Sequence, residues 1–165
     1  MRISQLIKGI LPVLIFVLEI FVSLRVIYLK KNHIRIIVLD ELIKLFFVVY
    51  LIILFYLVTK KEFSYQIINL KPFKEILRYP FFSKLFLKNV LGNIFLFIPY
   101  GLFLTYFFRI NKCYQIIFLT FLLSITIELI QIFIGRVFDI DDLLLNLVGG
   151  IIGYIISSKI GYSLD

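Results

Sequence analysis

Residues 120–154 read TFLLSITIELIQIFIGRVFDIDDLLLNLVGGIIGY, two apolar runs joined by a short charged turn. Each run predicts a helix in which small or polar residues recur every three or four positions. Such spacings put side chains on one face of a helix with about 3.6 residues per turn. The first face carries Thr120, Ser124, Glu128, Gln131 and Gly135, and the second Asp139, Asp142, Asn146, Gly149 or Gly150, Gly153 and Ser157. Both faces converge on the charged turn, which makes this hairpin the candidate centre of the protein.

The composition is typical of a membrane protein. Of 165 residues, 62% are hydrophobic and 17% are charged, whereas soluble domains are usually about 45–50% apolar and about 25% charged. Several apolar runs approach or exceed the roughly 20 residues that a helix needs to cross a bilayer. The sequence therefore predicts an all-α integral membrane protein. We expect a bundle of about five transmembrane helices in a single domain over residues 1–165, with a polar cluster at one membrane interface.

Five apolar runs mark the predicted spans, which cover residues 7–28, 42–58, 85–108, 113–134 and 143–160. Glu19 lies near the middle of the first span. A carboxyl group at that depth is costly, so it indicates either a function or a protonated group packed against a neighbouring helix. The chain contains no alanine, so no A-x-A-like cleavage site follows the first run, and we expect this helix to remain as an anchor.

One long segment, residues 59–84, lies outside the predicted spans and contains the phrase INLKPF at residues 68–73. Connections of this length are usually functional or disordered. The segment is rich in Phe and Tyr, which favours a position on the membrane surface or folded back over the helices.

The charge pattern argues against nucleic-acid binding, and the cysteine and histidine counts argue against a zinc site. The net charge of +8 comes from short Lys and Arg clusters at the edges of apolar runs, where they meet lipid headgroups and not nucleic acid. Cys113 is the one cysteine and His33 the one histidine, which excludes an internal disulfide and an ordinary zinc site. The cations divide ten to eight between the two predicted sides, so the positive-inside rule does not orient the chain.

Successive spans alternate in direction, which brings distant polar residues to one level. The start of the third span, the end of the fourth and the start of the fifth should lie at the same membrane face, and polar groups in lipid need partners inside the protein. The predicted polar cluster is Asn89, Asn93, Glu128, Gln131, Arg136, Asp139, Asp142 and Asn146. In the fifth span, Gly149 and Gly153 form a small-xxx-small pair that predicts close helix packing.

Three phrases of the sequence resemble the VanZ-like family of bacterial membrane proteins, which is named for a teicoplanin-resistance protein. They are KNVLGNIFLFIPYGLFL (88–104), IELIQ (127–131) and RVFDIDDLLLNLVGGIIGY (136–154). The upstream INLKPF is similar to the N-L-x-P-F phrase of that family, so the resemblance extends over residues 69–154.

The resemblance implies a multi-pass protein of the bacterial plasma membrane whose polar cluster faces outward. The named member of the family lowers susceptibility to teicoplanin-type glycopeptides without remaking the peptidoglycan precursor. By resemblance, we expect this chain to modulate the sensitivity of the cell envelope to such antibiotics. Its expected partners are membrane lipids, together with a glycopeptide or a lipid-linked cell-wall precursor.

The residues of the polar cluster allow three interpretations. In the first they join helices, with Asp139 or Asp142 capping the fifth helix, where a carboxylate meets free amide protons and the positive end of the dipole. In the second they bind a ligand. Arg136, beside the start of the fifth helix, would hold an anionic headgroup or pyrophosphate, while the acidic residues orient Arg136 or meet an amine.

The third interpretation is an enzyme. Glu128 and Asp142 would share a proton as acid and base, or the carboxylates would hold Mg²⁺ or Ca²⁺. Ser124 and Thr120 have no histidine near them in the sequence, so a Ser-His-Asp arrangement is not available. Whether the protein is an enzyme stays open. We expect a protein without a resident cofactor that modulates the sensitivity of the cell envelope to glycopeptides. The alternative is a membrane-embedded enzyme acting on a lipid or lipid-linked cell-wall precursor.

Overall fold

A computed structural model describes residues 3–58 and 68–161, except for the side chains of residues 3–10, 13 and 161. Its elements are α1 (Ile3–Lys31), α2 (Val38–Val58), β1 (Ile68–Asn69), α3 (Lys84–Phe108), α4 (Cys113–Phe133), β2 (Phe138–Asp139) and α5 (Ile140–Gly161). Most of the described residues are helical. Among the described residues, the four helices α2 to α5 are each long and apolar enough to cross a membrane. The predicted all-α membrane class is therefore confirmed.

Acidic residues determine where two of the helices begin. Asp40 and Glu41 occupy the first turn of α2, and Asp141 and Asp142 that of α5. A carboxylate at this position faces the positive end of the helix dipole and stabilises the helix. Both helices therefore start before the apolar runs that mark them in the sequence.

The chain divides into two compact units, Met1–Val58 and Thr59–Asp165. The first unit contains α1 and α2, which are joined by an ion pair. Arg25 donates from Nε and Nη2 to the two carboxylate oxygens of Glu41, at 2.8 and 2.9 Å. Lys44 Nζ donates to the same carboxylate at 2.8 Å. Glu19 lies on α1 as an exposed residue.

The second unit is built from α3, α4 and α5, and glycines allow α5 to approach α3 closely. A Cβ atom on Gly101 of α3 would collide with the backbone carbonyl of Gly150, and one on Gly153 of α5 with that of Ile98. Gly149 is equally constrained by the backbone of α3. Small residues at such a crossing let two membrane helices pack backbone against backbone.

Helix α3 is not regular along its whole length. Ser83 caps it, with Oγ accepting a hydrogen bond from the Phe86 amide at 3.1 Å. One α-helical turn is followed by a π-helical turn, Leu87–Leu91, before the α-helix resumes over Gly92–Phe108. Turns of this wider kind are rare and occur mostly as single interruptions, frequently near functional sites. Asn89 lies inside the π-helical turn.

Two short parallel strands attach the segment before α3 to the segment before α5. Ile68 pairs with Phe138 and Asn69 with Asp139. Residues 68–83 are thereby held against the end of the second unit where α3 begins, α4 ends and α5 begins. The remainder of the loop considered in the sequence analysis, residues 59–67, lies outside the described residues.

Candidate functional site

Glu128 lies at the centre of the polar cluster. It is placed near the end of α4, is 1% exposed, and accepts a hydrogen bond at Oε2 from the Asp139 backbone N–H at 2.8 Å. It also lies within electrostatic range of Asp142, Asp139 and Arg136. The carboxyl group of Glu128 therefore links the end of α4 to the segment that leads into α5.

Asp139 continues the network from Glu128 toward the loop. Its Oδ1 accepts from the Asp141 backbone N–H at 2.9 Å and its Oδ2 from Asn69 Nδ2 at 3.2 Å. The first bond closes a side-chain turn of the type that Asp favours before a helix. Burial raises the pKa of the Asp139 carboxyl above its ordinary value, and the two hydrogen bonds act in the opposite direction. The raised pKa means that burial outweighs the bonds.

Asp142 joins α5 to α3 at the same level. Asn93 Nδ2 of α3 donates to Asp142 Oδ1 of α5, although the two residues are 49 positions apart in the sequence. Asp142 also lies within electrostatic range of Arg136, Asp139 and Asp141. Glu128 and Asp142, from different helices, thus both lie within electrostatic range of Arg136.

Arg136 lies in the turn between α4 and α5. Gly135 has a left-handed backbone with φ of 81°, and the Arg136 N–H donates to the Gln131 carbonyl oxygen at 2.9 Å. This pattern is typical of a helix C-terminus that ends at glycine. It places Arg136 beside the two carboxyl groups, with its side chain half-buried.

A second polar layer lies deeper between α4 and α5. Asn146 Nδ2 donates to Ser124 Oγ at 2.8 Å, and both side chains are buried. Thr120 is fully buried one turn before Ser124 in α4, and Gln131 is buried nearer the cluster, about two turns after Ser124. Hydrogen bonds between buried polar groups of neighbouring helices hold those helices together, so this layer fits the interhelical interpretation.

Asp141 accepts three hydrogen bonds from backbone amides of the loop. It is 0% exposed, and its Oδ1 accepts from the Phe73 backbone N–H at 2.6 Å. Its Oδ2 accepts from the N–H groups of Glu75 at 2.8 Å and Ile76 at 3.3 Å. One carboxylate therefore fixes the loop after β1 to the first turn of α5.

The structure brings together most of the residues that the sequence singled out. Glu128, Asp139, Asp142, Asn93 and Arg136 form the polar cluster, while Gln131 and Asn146 lie buried in the interior beside it. Asn89 is half-buried in the π-helical turn, one turn before Asn93. Gly149 and Gly153 lie at the crossing of α5 with α3.

Three participants were missing from the set of site residues named from the sequence. Asp141 and Asn69 complete the network toward the loop, and Ser124 is the partner of Asn146. Asp141 stands beside Asp142 in the sequence, but its partners are backbone amides about 65 residues away. The phrase INLKPF was a signal for Asn69, although spacing alone does not connect it to α5.

The geometry of the cluster suits charge recognition and proton transfer. Within residues 3–58 and 68–161, no group of three or more His, Cys, Asp or Glu side chains is arranged to hold a metal ion. The carboxylates of Asp139, Asp141 and Asp142 instead accept hydrogen bonds from nitrogen donors. What the cluster offers is a half-buried guanidinium within electrostatic range of two carboxyl groups, those of buried Glu128 and half-buried Asp142, at the end of spanning helices.

Comparison with known proteins identifies the family. The profile of the VanZ/LLP1 family matches residues 42–161, which is most of the chain. The chain therefore belongs to this family, and the resemblance seen in its sequence phrases is confirmed. The matched region begins in α2 and continues through α5. No curated protein and no solved structure matches the chain.

Proposed function

We propose that this VanZ/LLP1-family membrane protein lowers the sensitivity of the bacterial cell envelope to teicoplanin-type glycopeptides, and that it does so from the plasma membrane through its polar cluster. The glycopeptide part of the proposal rests on the resemblance to the teicoplanin-resistance protein that names the VanZ-like family. The assignment to the cluster rests on the chemistry of Arg136 and its neighbours.

The observation that carries the proposal is the position of Arg136. Its half-buried side chain lies within electrostatic range of Glu128 and Asp142 at the end of the second unit. Those carboxyl groups are each held by another donor, Glu128 by the Asp139 amide and Asp142 by Asn93. Because the two carboxyl groups are fixed in this way, the negative charge near the guanidinium is in place before any ligand arrives, which reduces the ordering cost of binding.

The charges around Arg136 favour a ligand that carries groups of both signs. A guanidinium binds carboxylate or phosphate through two parallel hydrogen bonds, and the acidic residues beside it suit an amine. A glycopeptide, or a lipid-linked cell-wall precursor, is the ligand we propose for this end of the molecule. The proposal involves no metal ion.

Conservative replacement of Arg136 tests the proposal. Arg136→Lys keeps the positive charge but loses the planar, two-point geometry of the guanidinium, so we expect protection against teicoplanin to be lost while the amount of protein in the membrane is unchanged. The inhibitory concentration of teicoplanin is measured in a susceptible Gram-positive host that expresses parent or variant, beside quantitative blotting of membranes.

A matched variant separates recognition from assembly. Gly153→Leu places a large side chain against the α3 backbone, so it should lower abundance, with protection falling only in proportion. If the parent chain gives no protection at all, the glycopeptide proposal is refuted. If Arg136→Lys protects as well as the parent at equal abundance, Arg136 does not recognise the ligand and the cluster mainly joins helices.

One observation favours an enzyme as the alternative. Glu128 and Asp142 are two carboxyl groups from different helices that interact electrostatically at one level, as a general acid and base pair requires. An enzyme would change a lipid or a lipid-linked precursor covalently. Lipid and precursor profiles of cells with the parent or with Asp142→Asn decide between the two. A species that appears with the parent and is lost with the variant would favour the enzyme.

A further inference from the structure

Residues 70–88, which we call the interfacial segment, expose a series of large apolar side chains. Leu77, Phe81 and Phe82 are 69%, 70% and 82% exposed, and Leu70 and Phe73 are also more than half exposed. These five residues precede α3 and therefore lie outside its spanning part. Single exposed apolar residues are ordinary, whereas several large ones exposed in one short segment indicate an interaction surface.

The backbone of the interfacial segment is fixed, and its side chains divide into an inner and an outer face. On the inner face, Ile76 and Tyr79 pack against the buried cluster formed by Phe86, Val90 and Leu145. Asp141 binds three backbone amides of the same segment. The chain is thus held from inside while its outer apolar side chains remain uncovered.

Two of the outward phenylalanines adopt a backbone that is unusual for them. Phe73 and Phe82 have φ angles of 64° and 63°, in the left-handed region that disfavours bulky side chains. Conformations of this kind persist where the surrounding structure holds them, and they concentrate at functional places. Here they occur at the two positions that carry exposed aromatic rings.

Cations alternate with these apolar residues along the interfacial segment. All are exposed, and they are Lys71, Lys74, Arg78, Lys84 and Lys88. The segment has a single acidic residue, Glu75, which pairs with Arg78 at 3.1 Å. The outer surface therefore combines apolar bulk with an excess of positive charge, the combination by which peripheral segments bind anionic bilayers.

The position of α3 decides which partner this surface meets. Helix α3 is long and apolar enough to cross a membrane and begins at Lys84. Residues that immediately precede such a helix lie at the level of the lipid headgroups. The partner at that level is the bilayer itself, which has an apolar interior and, where it contains anionic lipids, a negatively charged surface.

We propose that the interfacial segment is a docking surface for anionic membrane lipids, with its apolar side chains inserted at the boundary of headgroups and acyl chains and its lysines bound to lipid phosphates. This inference goes beyond the proposed function, because it requires neither a glycopeptide nor the polar cluster.

Lipid contact is tested with a probe at Phe82. The full chain with Phe82→Cys in a Cys113→Ser background is labelled with an environment-sensitive fluorophore and placed in nanodiscs of phosphatidylcholine mixed with phosphatidylglycerol. We expect blue-shifted emission that brominated lipid quenches. A probe at Asn111, exposed in the turn between α3 and α4, is the matched control; this turn also lies near the headgroups but is short and polar, with Arg109 and Lys112 beside Asn111, so the probe should insert less deeply and be quenched less. Emission that is not shifted, or that is shifted but not quenched because protein covers the site, would overturn the proposal.

Charge recognition is tested by removing three cations. The variant Lys71→Gln, Lys74→Gln, Lys84→Gln should bind phosphatidylglycerol about a hundredfold more weakly, since each surface cation contributes about fivefold. The control removes Lys30 and Lys31 from the last turn of α1 and Arg35 from the connection to α2, the same number of charges. Lipid retained on the purified full chain is measured by mass spectrometry. Equal losses in the two variants would show that only total charge matters and would refute a docking surface in this segment. Should the charge variant not fold, the Phe82 measurement still decides.

Discussion

Asp141→Asn tests whether one carboxylate holds the loop on α5. The substitution keeps the size of the side chain and one oxygen, but it replaces the other oxygen by an NH₂ group that cannot accept hydrogen bonds. In the structure Oδ2 accepts from Glu75 at 2.8 Å and Ile76 at 3.3 Å, while Oδ1 accepts from Phe73 at 2.6 Å. We therefore expect the loop to open locally while α5 itself remains formed.

The size of the effect follows from these contacts. A hydrogen bond to a charged group contributes about 1.5–3 kcal/mol. The bond from Ile76 is long and counts for less than the bond from Glu75. Losing both, together with the charge that strengthens the bond from Phe73, should lower the free energy of opening by about 2–4 kcal/mol. At about 1.4 kcal/mol for each factor of ten, amide exchange in the loop should become about 30-fold to 700-fold faster.

Hydrogen–deuterium exchange with mass spectrometry measures this change directly, in the full chain in nanodiscs. The peptide that covers residues 70–79 should lose protection in Asp141→Asn, whereas peptides from the middle of α5 should not. Asp142→Asn is the matched control, because the adjacent carboxylate binds Asn93 and not the loop. Parent-like protection of the loop in Asp141→Asn would refute the reasoning, as would equal loss in both variants.

Two further predictions concern packing and pH. Gly101→Ala should sharply reduce the amount of folded protein in membranes, because its Cβ would collide with the Gly150 carbonyl, whereas Gly92→Ala, with nothing within 4 Å, should be neutral or slightly stabilising. Similar abundance of the two variants on quantitative blots would contradict the close crossing. Burial raises the pKa of the Asp139 carboxyl, so the folded state binds this proton more tightly than the unfolded state. The proton therefore stabilises the fold fully below the unfolded pKa of about 3.9, and this stabilisation is lost as pH rises through the raised pKa of the folded state. The melting temperature should therefore rise more between neutral pH and about pH 4 in the parent than in Asp139→Asn, and identical slopes would show that this group does not titrate as described.

The helices were predictable because lipid simplifies the problem. A spanning segment must satisfy its backbone groups internally and present apolar side chains over about 20 residues. The apolar runs that form α2 to α5 can be recognised by this length and composition in the sequence. The exact starts of α2 and α5 were less predictable. Charged residues such as Glu41 and Asp141 look like loop residues by hydropathy, yet they belong to first turns that the dipole stabilises.

The sequence predicted which residues of the polar cluster share a helix face, but not which hydrogen bonds they make. Helical spacing placed Glu128, Asp142 and Asn146 on inward faces, and the alternation of spans brought them to one end of the second unit. Spacing does not reveal that Glu128 binds a backbone amide of Asp139, or that Asp141 binds a loop. Those partners are set by β1 and β2, two-residue strands too short to leave a periodic signal.

The contact between Asp141 and the loop also imposes an order on biosynthesis. The amides that it binds precede it by 68, 66 and 65 residues, and at about 5–20 residues per second the ribosome needs about 3–14 s to make that length. During this interval the loop has been translated but its acceptor has not. The loop can make these bonds only after Asp141 has been made, so a chain that stops before α5 leaves the loop open. A protease of membrane quality control that cuts within residues 70–79 would thereby distinguish chains that stop before Asp141 from chains that include it.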